Sequence, residues 1–257
     1  MDQIPSVLAC DVGNSSIAIA HVKGEDVTPV QRLRPEDPAG LGRALAELWE
    51  QMPEPRKVAA CSVNPPGLGA LEAAGAEALH QDVLVIGRDL PLPIKTDLPH
   101  QASIGTDRLC CAAGAFDRLG VPCVVADFGT AITIDCVNAD GVFIGGAILP
   151  GLAMGAKALA GQTALLPEVA PANPNWVFGK DTTQAIIGGL VLGARGALRE
   201  LVESYASELG GWPIVILTGG DADLICPRPG KSELVQAVVP DLVLRGVAIG
   251  YYKSLLK

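Results

Sequence analysis

Two segments of this chain carry residues that could hold a charged ligand, and they follow one plan. Asp11-Val12-Gly13-Asn14-Ser15-Ser16 and Asp127-Phe128-Gly129-Thr130-Ala131 each close an apolar run with Asp-x-Gly, pass through small residues and open into an alternating strand. Glycine lets the backbone approach a ligand closely. Successive N–H groups with Ser or Thr hydroxyls form a concave donor surface for anionic oxygens. A carboxylate in the same loop repels phosphate unless a cation stands between them, which implies Mg²⁺ or a monovalent ion held through oxygen ligands and waters. Asp-x-Gly alone is an ordinary hairpin bend. Two copies, nearly half the chain apart, point to two related lobes facing one site suited to the phosphates of a nucleotide. In that reading Asp11, Val12, Gly13, Asn14, Ser15 and Ser16 take the phosphate tail, with Asp11 on Mg²⁺ through water. Gly129, Thr130 and Thr133 serve the second loop, with Asp127 as a cation site.

Two further units could complete such a site. Thr218-Gly219-Gly220-Asp221 follows an apolar strand and reads either as a backbone shelf for a purine or ribose, through Gly219 and Gly220, or as a tight entry into a helix. Gly105-Thr106-Asp107-Arg108 opens a helix. An Asp in a first turn ordinarily caps exposed N–H groups. The chemical alternative makes Asp107 a general base on an acceptor hydroxyl and Arg108 a clamp for an anionic substrate group.

The elements that must position these residues alternate. Strands are expected at Val7–Asp11 and Ile17–Val22, a helix at Pro38–Gln51, a strand at Lys57–Ser62, a helix at Gly67–His80 and a strand at Asp82–Ile86. Leu90–Ser103 reads as a loop before a helix from about Gly105 to Leu119. After the second Asp-x-Gly hairpin come a strand at Val142–Leu149, a helix at Met154–Ala160 and a loop at Leu166–Pro174. A long helix at Thr182–Glu208 is interrupted in propensity by Gly188, Gly189, Gly193 and Gly196. A strand at Ile214–Leu217 and a helix at Pro240–Leu256 close the chain. Helices between strands imply mixed sheets covered by helices, with a lobe boundary near Gly114–Pro122 and domains at 1–118 and 119–257.

The bulk numbers limit the function classes. The chain of 257 residues is 49% hydrophobic and 18% charged, which suits a large packed core. A formal charge of −9 and the lack of a basic cluster argue against a nucleic-acid partner. No apolar run is long enough to span a membrane, and the N-terminus lacks the features of a secretory leader. The seven cysteines form no C-x-x-C pair and read as buried thiols in a reducing cytoplasm. The three histidines lack metal-ligand spacing and no G-x-S-x-G elbow is present, which leaves little room for histidine chemistry.

Asp-Val-Gly-Asn-Ser, Gly-Thr-Asp-Arg, Asp-Phe-Gly-Thr-Ala-Ile-Thr-Ile-Asp, Gly145-Gly146-Ala147-Ile148-Leu149-Pro150-Gly151, Gly179-Lys180-Asp181-Thr182, Thr-Gly-Gly-Asp-Ala and Pro240-Asp241-Leu242-Val243-Leu244-Arg245-Gly246 occur in that order. Together they resemble the type III pantothenate kinases, of the acetate and sugar kinase/actin-like ATPase superfamily, over essentially the whole chain. The resemblance implies an α/β fold of two duplicated actin-like (ribonuclease H-like) lobes, mixed sheets flanked by helices, with a nucleotide cleft between them. It implies ATP-dependent phosphorylation of pantothenate at its 4′-hydroxyl, the first step toward coenzyme A, by a cytoplasmic homodimer needing Mg²⁺ and K⁺ or NH₄⁺. Carried across, Asp107 matches the catalytic base, and Gly105, Thr106 and Arg108 match pantothenate contacts. Asp127 matches the potassium ligand, Thr130 a phosphate contact, and Thr182 a pantothenate contact supplied by the partner subunit. The chain departs from the family in having Ser15 where Thr is usual. It also lacks the Tyr and Asn-Pro often found before Gly-x-Asp-Arg, having Lys95-Thr96-Asp97-Leu98-Pro99-His100-Gln101 there. A non-catalytic regulator on the same fold and an actin-like phosphohydrolase are the competing readings.

Overall fold

The computed structural model describes residues 4–227 and 233–256. Met1–Gln3, part of the stretch read above as lacking a leader, lie outside them. The chain divides into two compact units. One comprises the residues up to Gly120 together with Gly141–Phe143 and those from Asp241 onward; the other comprises Val121–Asp140 and Ile144–Pro240.

The first unit opens with β1 (Ser6–Val12), β2 (Ile17–Lys23), β3 (Asp26–Val27) and β4 (Gln31–Leu33), followed by α1 (Pro38–Gln51), β5 (Arg56–Ser62), α2 (Pro65–Leu79) and β6 (Val83–Val85). Its sheet runs β3-β2-β1-β5-β6, with β4 pairing β2. The hairpin β1–β2 is antiparallel, while β1–β5 and β5–β6 are parallel. Pleat alternation sends Leu8, Cys10 and Val12 into a core with Leu41, Leu45 and Leu71 of the two helices. Val7 and Ala9 point to the opposite face, into a core with Ala59, Cys61 and Cys110. Both helices start where a side chain satisfies an orphan N–H: Asp37 accepts from Gly40 N at 2.9 Å and Asn64 from Gly67 N at 3.1 Å, each followed by Pro.

After a short strand β7 (Lys95–Thr96), α3 (Thr106–Leu119) ends on Gly120 in the left-handed conformation. The second unit begins with β8 (Cys123–Phe128), β9 (Ala131–Val137) and β10 (Val142–Pro150), although Val142 and Phe143 at the start of β10 belong to the first unit and pair with β7. Then come α4 (Leu152–Gln162), α5 (Thr182–Leu209), β11 (Ile214–Thr218), the short α6 (Ala222–Ile225) and β12 (Ala237–Val238). Read from β10, this sheet runs β10-β9-β8-β11-β12, the same order of connections as β3-β2-β1-β5-β6. β8–β9 is antiparallel and β8–β11 parallel, as in the first unit. The repeat seen in the two Asp-x-Gly bends is therefore a repeat of whole sheets.

One element bears out the sequence reading against its own propensities, and another departs from it. α5 is one unbroken 28-residue helix despite its glycines. Ile187, Val191, Ala194, Leu198 and Val202 recur at helical spacing on its buried face, while a Cβ at Gly189, Gly193 or Gly196 would meet nothing within 4 Å. Burial of one stripe outweighs the propensity cost. The closing helix, α7 (Leu242–Ser254), belongs to the first unit rather than to a 119–257 lobe. Its Leu244, Val247 and Tyr251 fill the core against Val7, Ala9 and Cys61, and the Tyr252 hydroxyl accepts from Gly24 N at 3.2 Å.

α7 can reach that core because it crosses α3 at glycines. A Cβ on Gly246 would lie 1.9 Å from the Cys110 carbonyl oxygen, and one on Gly114 would lie 2.6 Å from that of Leu242. Gly246→Ala is therefore expected to cost about 1–3 kcal/mol through overpacking. Gly69→Ala in α2, where an added Cβ meets nothing within 4 Å, should be neutral or slightly stabilising. Thermal melts of the two variants check this; equal melting temperatures would contradict the close crossing.

Candidate active site

Asp11 lies near the end of β1, and the parallel register sets it beside Cys61 of β5, on the pleat face shared by Val7 and Ala9. Cys110 of α3 packs on that same face, so the helix that carries Asp107 covers the side of the sheet on which Asp11 sits. The N-terminus of α3 is fixed to the end of β5 by a reciprocal pair: Ser62 N donates to Thr106 Oγ1, and that hydroxyl donates to Ser62 O, both at 3.1 Å. Thr106 thus spends its hydroxyl on positioning. Asp107, in the first turn, accepts from Arg108 N at 2.8 Å, while the N-cap position, Gly105, offers no side-chain cap. Gly105 leaves it room, since a Cβ there would lie 2.4 Å from Asp107 Oδ1. The Arg108 guanidinium lies 5.5 Å from the centroid of the Phe143 ring.

The two carboxylates are electrostatically strained. Burial, and then the negative charge of Asp107, push the Asp11 carboxyl up to about 6, against the opposing pull of the Cys61 thiol and Arg32. Burial also raises Asp107, partly offset by the Arg108 backbone N–H and charge.

The loop after Asp11 is braced rather than strained. Gly13 N closes the turn on Ser16 O at 3.0 Å, and the Asn64 amide donates to Gly13 O at 3.1 Å. Neither Gly13 nor Gly129 adopts positive φ. Val12 directs its side chain into the core and offers the loop none. Asn14 and Ser15 are exposed, and Ser16 is half-buried.

In the second unit, Gly129 N closes its turn on Ala131 O at 3.2 Å. Register pairs Asp127 with Thr133 on β9 and with Thr218 on β11. That parallel pairing delivers Gly219 onto the bend: at φ +92°, with a Cβ that would lie 2.4 Å from Asp127 Oδ1 and 2.5 Å from Phe128 O, the position admits only glycine. Asp221 N donates to Phe128 O at 2.9 Å. Gly151 approaches from α4, its Cβ position 2.3 Å from Thr130 O and 2.4 Å from Gly129 O. Asp127, Gly129, Thr130, Thr133 and Gly219 therefore form one oxygen-rich cradle, and Gly220 adjoins it in open space. Among the described residues, no three His, Cys, Asp or Glu side chains gather into a metal cage.

Thr182 is exposed at the first position of α5. The helix start is held from both sides: Asp181, its N-cap, accepts from Gln184 N at 2.8 Å, and Gln184 Oε1 accepts from Lys180 N at 3.0 Å.

A family model described as type III pantothenate kinase matches residues 7–204. A type III pantothenate kinase of Dehalococcoides mccartyi is 33% identical over 252 residues, covering 95% of this chain and 96% of that one. The chain belongs to the type III pantothenate kinase family. One member from Akkermansia muciniphila is 43% identical over 161 residues, 63% of this chain and 65% of its own. Among solved structures, a Campylobacter jejuni protein placed in the Baf family of transcriptional activators superposes with a TM-score of 0.61 at 19% identity, covering 97% of this chain and 100% of that one. The activator of 2-hydroxyisocaproyl-CoA dehydratase from Clostridium difficile, solved with bound ADPNP, gives 0.51 at 11% identity, covering 98% and 96%. At these identities the two structures speak for the fold, which is that of the actin-like ATPases with its duplicated α/β lobes.

Against this type III kinase family, the sequence reading missed three residues that hold the first-unit site together: Cys61, Ser62 and Asn64. Asn64-Pro65-Pro66 directly after an apolar strand was the available signal, since an amide residue before Pro announces a helix start.

The raised Asp11 carboxyl has a stability consequence. Its folded value of about 6 exceeds the ordinary 3.8, so the folded chain keeps a proton that the unfolded chain has already lost. Stability from this group is therefore greatest at low pH and falls as pH rises through about 6. Asp11→Asn should melt at a higher temperature than the parent at pH 8, with the gap narrowing below pH 6. A gap that stays constant across this range would contradict the strained carboxylate.

Proposed function

We propose that the chain transfers the γ-phosphoryl group of ATP to the 4′-hydroxyl of pantothenate, yielding ADP and 4′-phosphopantothenate at the start of coenzyme A synthesis. Membership of the type III pantothenate kinase family carries the reading. The chemistry of the residues supports it. Asp107 is the acceptor for the hydroxyl proton, and its buried, proton-attracting carboxyl suits that task better than an exposed aspartate does. It takes the proton late, as the departing phosphoryl group draws charge from the alcohol oxygen. Gly105, Thr106 and Arg108 bind pantothenate, with the guanidinium on its carboxylate. Asn14, Ser15 and Ser16, the backbone around Val12 and Gly13, and the Thr130 and Thr133 hydroxyls serve the phosphates. Gly219 and Gly220 serve the nucleoside.

A lone carboxylate at Asp11, without a protein cage around it, fits Mg²⁺ that keeps its waters and takes further oxygens from the nucleotide. When bound, Mg²⁺ offsets the charge of the phosphate oxygens. The Asp127 carboxylate, with the Phe128 carbonyl also drawn up to Gly219, offers oxygens that suit K⁺ or NH₄⁺. We also assign the chain to a cytoplasmic homodimer to which Thr182 contributes a pantothenate contact across the interface. Supporting the dimer are exposed apolar side chains on the second unit: Phe178 at 72% exposure, with Ile148, Met154, Val177 and Leu192. Seven buried cysteines that form no disulfide suit a reducing compartment. Among the described residues no helix is long and apolar enough to cross a membrane.

Pantothenate-dependent ADP release from MgATP in potassium buffer tests the reading. The parent chain should turn over, and Asp107→Asn should lose roughly 10²–10⁴-fold in kcat. No turnover by the parent would favour the regulatory homologue. Unchanged turnover in the variant would remove only the role of Asp107. Replacing K⁺ by Na⁺ should lower the rate; equal rates would remove the assignment of Asp127. Sedimentation should give twice the chain mass, and Leu192→Asp should reduce it toward the monomer.

A further inference from the structure

We infer that Cys61 is a positioning residue for Asp11: its thiol holds one carboxylate oxygen so that the other is presented to a metal-bound water. This rests on the Mg²⁺ role proposed for Asp11.

The parallel register of β1 and β5 makes Asp11 and Cys61 direct neighbours. Cys61 Sγ lies 3.5 Å from Asp11 Oδ1, within reach of an S–H···O hydrogen bond in which the thiol donates. Among the described residues this is the only hydrogen bond to the Asp11 carboxylate. Cys61 has no solvent exposure, so water does not compete for the thiol proton. A donor at this point answers a specific problem. Asp107 repels Asp11, and a carboxylate with no hydrogen bond would turn away from that charge. With Oδ1 engaged from within the sheet, Oδ2 is left for the water shell of the ion. An alanine would keep the strand but would supply no donor.

The test compares Cys61→Ala, which removes the donor, with Cys61→Ser, which restores one. Calorimetric titration with ADP, in Mg²⁺ and again in EDTA, separates the metal-dependent part of binding. The alanine variant should bind ADP roughly fivefold more weakly than the parent in Mg²⁺ but equally in EDTA, and serine should recover most of the loss. Thermal melts confirm that each variant is folded at the titration temperature. Parent-like Mg²⁺-dependent binding by Cys61→Ala would overturn the inference. So would equal weakening in alanine and serine, or a loss that is the same with and without the metal, since each marks a packing effect. A parent chain that binds ADP no better with Mg²⁺ than without it would overturn both this inference and the metal role beneath it.

Discussion

The first-unit site depends on the two-residue period of a β-strand. Because side chains alternate across β1, Asp11 shares a face with Val7 and Ala9, and that face is covered by α3 and α7. A slip of one residue in the pairing of β1 would carry Asp11 to the side of α1 and α2, away from Asp107. The register is held because Leu8, Cys10 and Val12 are fully buried on the other face. The same packing that stabilises the sheet therefore decides which way its acid points. The Thr106–Ser62 pair then sets the end of α3 in place, and the helix can cover the sheet because α7 approaches it through Gly114 and Gly246.

Placing two acids under one helix start has a cost that the folded chain carries. Asp11 and Asp107 are both more proton-hungry than ordinary aspartates, for reasons of burial and, at Asp11, mutual repulsion. A cation with a phosphate chain is the kind of partner that relieves such a site, because the ion restores the charge balance that desolvation removed. The second unit solves a related problem differently. There a single carboxylate, Asp127, sits among backbone carbonyls that two glycines allow to crowd together.

Much of this was legible in the sequence, and the reasons for success and failure are physical. The paired Asp-x-Gly bends announced the duplication because a hairpin with a buried strand has a strong local signature. The helix over 38–51 was readable to the residue, since Asp37-Pro38 marks its start and leucines recur on one face. β3, β7 and β12 are two residues long, too short for any period to show. The long helix of α5 was legible despite its glycines, because the apolar stripe recurs at helical spacing and outweighs their propensity cost. Thr106 also has a tie that no local pattern shows: its hydroxyl bonds to Ser62, forty-four positions away in the chain. Cys61 looked like one more inert thiol, because the neighbour that gives it a role comes from strand register and not from adjacent sequence.

The attachment of α7 to the first unit also bears on how the chain is assembled during synthesis. Val7, Ala9 and Cys61 leave the ribosome before Leu244, Val247 and Tyr251, which cover them, and nearly the whole second unit is made in between. The first unit thus stays open along one side until α7 has been made, whereas the second unit has its strands and helices before that point.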